Sequence, residues 1–166
     1  MIKKIIIYLI GAALFIVAVG VFLQKSSTFS PKMTPTPTGI SSPNVTISGK
    51  EIDVTVARTP QDREKGLGGV STLDSESGML FVFEKPENAQ VFWMKGMLIP
   101  IDIVWIRDGK IVKIDKNVPV PAPNASDTKL KTYSAGQIVD YVLEVNAGFS
   151  DKNSFKTGDS VTFSGI

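Results

Sequence analysis

Lys95 and Asp102 stand inside FWMKGMLIPIDIVWI, residues 92–106, the most apolar stretch of the chain beyond its N-terminus. Opposite charges in a segment suited to a core must pair with each other, cap loop backbone or serve a ligand. A partly desolvated pair would hold the connection 96–100 in register. A lysine beside Trp93 and Met94 would instead offer a positive charge to a bound anion while the indole supplies stacking area. Glu144 poses the same choice, because it interrupts the apolar run VLEV (142–145). An arginine fork is the best partner for such a carboxylate, and the pairing expected on structural grounds is Arg63 with Glu144. Arg63, Trp93, Lys95, Asp102 and Glu144 are therefore the candidate ligand-binding residues, and no residue is marked as catalytic.

Composition limits the chemistry these residues can do. The chain has no histidine and no cysteine, which removes the usual general base, the common triad, thiolate nucleophiles and the commonest metal ligands. A hydrolase would have to use Lys95 as acid or base, supported by Asp102 or Glu144, with a hydroxyl nucleophile such as Ser71 or Thr72 from the 68–77 loop. A lysine base needs a lowered pKa, whereas a neighbouring aspartate raises it. No loop carries the regular acidic spacing of a Ca²⁺ or Mg²⁺ site, so neither a metal nor a cofactor is expected. The net charge is only +2, with lysine and arginine scattered, and nothing steers the chain toward nucleic acid.

The elements that must position these side chains read as strands. Beyond residue 43, period-two apolar spacing and β-branched residues recur between turn signals, the pattern of an all-β, mainly antiparallel sandwich or barrel-like domain with one or two short helices. Val45 to Ile47 should return as Ile52 to Val56 in a hairpin, turning at Ser48, Gly49 and Lys50. Thr59-Pro60-Gln61-Asp62 reads as an N-cap, a proline in the first turn and a carboxylate three residues on, opening a short helix that Gly66 ends. Strands are expected over Met79 to Phe83, Gln90 to Lys95 and Ile101 to Ile106. Asp108-Gly109 then turns the chain into Ile111-Val112. A long loop from Pro119 reaches to about Tyr133, and strands at Val139 to Val145 and Ser160 to Phe163 follow, with a helical turn near Phe149 to Asn153. Alternation along β-structure places Asp102 with Val104 and Ile106, and Lys95 with Trp93. If the two strands lie side by side, Lys95 and Asp102 emerge at one end and meet.

Ahead of the domain, Lys3 and Lys4 precede an apolar run from Ile5 to Leu23, long enough as a helix to cross the ~30 Å hydrocarbon core. Its length and its exit through VFLQK favour an uncleaved signal anchor over a cleaved signal peptide, with secretion after cleavage as the alternative. The expected organisation is a single transmembrane helix in 1–23 with the N-terminus cytoplasmic, a Ser/Thr/Pro-rich stalk over 24–43, and an extracytoplasmic domain over 44–166.

Four blocks, TPQDREKGL (59–67), GMLFVF (78–83), the 92–106 stretch and YVLEVNAG (141–148), resemble in order and spacing the domain of unknown function 192 family, over most of residues 50 to 163. The resemblance implies a compact, mostly antiparallel β-sandwich-like domain, commonly secreted or attached to a membrane, with no established activity. Carried onto this chain, the family pattern implicates Arg63, Gly66, Leu67, Gly78, Phe92, Met94, Lys95, Pro100, Asp102, Glu144 and Gly148. Two departures stand out: Gly68 where the family usually has methionine, and Gly96-Met97 where it usually has Asn-Thr, which makes a polar pocket beside Lys95 poorer here.

The functional expectation is an anchored binding or accessory module of the cell envelope, whose partner is a small anionic or sugar-like ligand or an envelope protein. The alternatives are the hydrolase outlined above and a purely structural envelope domain.

Overall fold

The computed structural model describes residues 42–84 and 89–166. The expected anchor in 1–23, and the stalk up to residue 41, lie outside the described residues. Among the described residues no helix is long and apolar enough to cross a membrane.

Among the described residues, nine strands and two short helices make up the domain. β1 (Asn44–Ile47) and β2 (Lys50–Ala57) form the expected hairpin, and Ser48 and Gly49 both take positive φ at its turn, the backbone twist that two-residue hairpin loops prefer. Helix α1 (Pro60–Lys65) leads toward β3 (Ser77–Val82), which pairs parallel to β2. This parallel pair is the one departure from antiparallel pairing among the described strands, and it exists because a crossover of helix and loop, rather than a tight turn, joins the two. β5 (Ile101–Arg107) and β6 (Lys110–Val118) are joined at Asp108-Gly109, again with both residues at positive φ. β8 (Tyr141–Asn146) lies between β3 and β5, and β9 (Val161–Ser164) pairs with β1. The sheet order is β6-β5-β8-β3-β2-β1-β9. Its ends meet where Lys110 bridges Ser160 and Val161 N–H donates to Gly109 O at 2.8 Å, so the sheet curls almost into a barrel.

Both faces of the central strands are covered. Val104, Ile106, Leu143 and Val145 join Ile52, Leu80, Phe149 and Phe155 on the inner face of the curl, while Ile103, Trp105, Val142 and Phe81 share the outer face with Leu67, Met94, Met97 and Tyr133. Part of that outer cover is a small ribbon of β4 (Phe92–Trp93) and β7 (Thr132–Tyr133). Two sequence expectations change here. The strand expected over Gln90 to Lys95 shrinks to two residues, because Met94 N-terminal to a turn closed by Met97 N–H on Met94 O at 3.2 Å leaves no room to continue. The loop after Pro119 also contains β7 and a 3₁₀ turn over Asp127–Lys129.

Candidate functional site

The Asp102 carboxylate serves the backbone packed around it. The residue is fully buried, and its carboxylate accepts from three backbone N–H groups: Asn117 at 2.8 Å and Gly148 at 3.1 Å on Oδ1, and Ser150 at 2.8 Å on Oδ2. The register between β5 and β6 shifts at this point and Asn117 takes a φ of 52°, which turns its N–H out of the ladder as bulges do. The same carboxylate holds the entry to α2 (Phe149–Lys152). Lys95 therefore does not meet Asp102. Its turn, with Gly96 at a φ of 70°, carries it outward, where Nζ lies 2.6 Å from Asp127 Oδ2 and 5.1 Å above the Trp93 ring. Hydrogen bonding to Asp127, reinforced by that carboxylate's charge, raises the Lys95 pKa above its usual value.

Arg63 departs from expectation in the same way. Thr59 Oγ1 accepts from Asp62 N–H at 3.1 Å, Pro60 begins α1, and Gly66 closes it with its N–H on Asp62 O at 2.9 Å. The helix so fixed sets Arg63 over the end of β3. There Nη1 donates to Arg58 O and, at 3.1 Å, to Val82 O, and the guanidinium rests 5.2 Å from the Phe83 ring centroid. The expected Arg63–Glu144 ion pair does not form; Nη1 is turned to the two backbone carbonyls instead.

Glu144 is left as the anomaly. It sits on the outer face of β8, opposite Met79 of β3 and Ile103 of β5. It is 5% exposed, and its Oε2 is buried with no hydrogen-bond partner. Burial pushes its carboxyl up to about 8, since a charge without a partner is poorly tolerated away from water. Above it lies a cavity of about 510 Å³ between α1, the 66–68 loop, β4 and the Lys95 turn, within the range of small-molecule sites. Gly69 N–H on Gly96 O at 2.9 Å ties the two loops that frame it.

The cavity brings together four of the five candidate residues, Arg63, Trp93, Lys95 and Glu144, and excludes Asp102. Phe81, Phe83 and Phe92 supply most of its aromatic wall, with Phe81 and Phe92 edge to face at 4.9 Å between centroids. None of these three rings was singled out as a ligand contact from sequence. The signal available was the alternation of Phe81 with Phe83, which puts both on one face of the chain. Lys95 also belongs to a shallower cleft with Leu98, Val120 and Asp127. Among the described residues no group of three or more His, Cys, Asp or Glu side chains could hold a metal ion.

Comparison with known proteins agrees with this architecture. A protein of unknown function from Novosphingobium aromaticivorans has a solved structure similar to this one, with 28% identity over 72% of this chain and 83% of that one and a TM-score of 0.64. A candidate transcription regulator from Sinorhizobium meliloti is similar at 29% identity, over 75% of this chain and 93% of its own, with a TM-score of 0.63. That second chain is little more than the shared domain. No curated protein matches. The model of DUF192, described as an uncharacterized ACR, matches residues 43–163, and by this match over most of its length the chain belongs to the DUF192 family.

Proposed function

We propose that the chain is a membrane-tethered, extracytoplasmic binding domain that takes a small ligand into the cavity beneath α1. The observation that carries the reading is Glu144, a buried carboxyl with no partner on the floor of an aromatic-walled pocket. Such a group costs the fold stability, and costs of this kind are kept where a site uses them. The apolar run at 5–23 and the Ser/Thr/Pro-rich stretch at 24–43 support a tether with reach. The geometry favours binding over the hydrolase alternative. Lys95 is held in its charged form by Asp127, so it is a poor base, and both oxygens of Asp102 already accept backbone N–H groups.

The test is a thermal-shift screen of the domain 42–166 against amino acids, sugars, carboxylates and phosphates. Compounds that raise the Tm of the wild type should lose that effect in Trp93→Ala. A screen without hits, or hits indifferent to Trp93→Ala, refutes the pocket. A C-terminal reporter that works only outside the cytoplasm should be active on the full chain; an inactive reporter refutes the tether.

A further inference from the structure

Among the described residues Glu144 is the one acid on the floor of the cavity, and none of the cations that line the cavity pairs with it. Arg63 gives Nη1 to two backbone carbonyls and lies over Phe83, while Lys95 pairs with Asp127. On the sheet the carboxyl is flanked by the apolar Met79 and Ile103. Above it stand Phe81, Phe83 and Phe92, whose ring centroids lie 4.9 Å (Phe81 to Phe92) and 6.4 Å (Phe83 to Phe92) apart. Aromatic rings around a buried carboxylate form a site for an ammonium group: the ring quadrupoles attract the cation and the carboxylate neutralises it.

The rim has the opposite character. Among the described residues, Arg63, Lys65 and Lys95 line it against a single carboxylate, Glu64. The Lys95–Asp127 pair is half exposed on both sides, and exposed ion pairs contribute little, so Lys95 can exchange Asp127 for a ligand anion at small cost. Three rim cations also disfavour a ligand that carries only positive charge.

We infer that the cavity takes a zwitterionic amino compound, its ammonium group against the Glu144 carboxylate among the phenylalanine rings and its acidic group at the mouth beside Lys95. The inference rests on the binding reading and adds the charge pattern of the ligand. It also requires a proton to move. In the free protein the Glu144 carboxyl holds its proton up to about pH 8; when an ammonium ion docks, that proton leaves for solvent and the ionised carboxylate remains as the counter-ion. Among the described residues, the other charged groups sharing the cavity are Arg63, Glu64 and Lys65 from the α1 segment and Lys95 from the turn after β4.

Three five-carbon probes separate the charges: 5-aminopentanoate, pentylamine and pentanoate, each titrated into the domain 42–166 while the Glu144 carboxyl carbon is followed by NMR across pH. The expected result is tightest binding by 5-aminopentanoate, with a lowered Glu144 midpoint and proton release seen as a dependence of the binding heat on buffer. Pentylamine should show the same shift with weaker binding, and Glu144→Gln should weaken 5-aminopentanoate binding about tenfold or more. Pentanoate binding as tightly as 5-aminopentanoate, with the midpoint unmoved, overturns the amine assignment and leaves the cavity as a binding site for anions. Failure of all three probes to perturb any lining residue at high millimolar concentration also overturns it, and the library screen then judges the binding reading separately.

Discussion

At the scale of single residues, two carboxylates embedded in apolar strands have opposite fates. Asp102 is satisfied three times by backbone N–H groups, whereas Glu144 has no partner. Asp102→Asn keeps one acceptor oxygen but presents an amide donor to a buried N–H. A loss of about 2–4 kcal/mol is expected, measured by denaturant unfolding of the domain. Lys95→Met, by contrast, removes an exposed ion pair and a contact over the exposed Trp93 ring, and should change stability by less than about 1 kcal/mol in the same experiment. A large loss for Lys95→Met would restore the lysine as a structural partner in the core. In the sequence all these charges stand out against their apolar neighbours. Their partners are not legible there, because alternation states which face a side chain takes and says nothing about which loop packs there. Backbone groups, N–H donors for Asp102 and carbonyl acceptors for Arg63, leave no signature in side-chain chemistry.

Secondary-structure elements were most legible where local chemistry decides them. Ser48-Gly49 and Asp108-Gly109 turn the two hairpins, and the Thr59 cap with Pro60 and Gly66 bounds α1, because each depends on residues within a few positions. The parallel pairing of β2 with β3 and the β4–β7 ribbon depend on distant segments and were not legible. Gly78 shows how tightly the parallel pair is seated against β8: a Cβ there would lie 2.6 Å from Glu144 O. Gly78→Ala should therefore push β3 from β8 and cost more than about 2 kcal/mol in chemical denaturation, with the largest NMR shifts along those two strands. A neutral substitution would mean that the two strands part more easily than their close contact implies. The cavity would then have a yielding floor, since Glu144 belongs to β8.

The whole molecule should report Glu144 through the pH dependence of its stability. Burial raises the carboxyl's pKa to about 8 in the folded chain, from 4.5 when exposed to water. Between those values the folded state holds more protons than the unfolded state, so stability falls as pH rises through this window and levels off above it. The upper limit of that fall is about 5 kcal/mol. Glu144→Gln should remove this component of the slope and be the more stable protein above about pH 8, as read from unfolding curves across pH. An unchanged slope would mean that the carboxyl is solvated.

The joining of β6 to the segment before β9 at Lys110 and Ser160 has a consequence beyond the single copy. An open sheet offers unpaired N–H and C=O groups at its margins, which can recruit a strand from a neighbouring chain. Here the two margins begin to occupy each other, and Lys113, Asp115 and Lys116 put alternating charge along the part of β6 beyond the junction. Copies held at high density are thereby protected from strand exchange and edge-on aggregation.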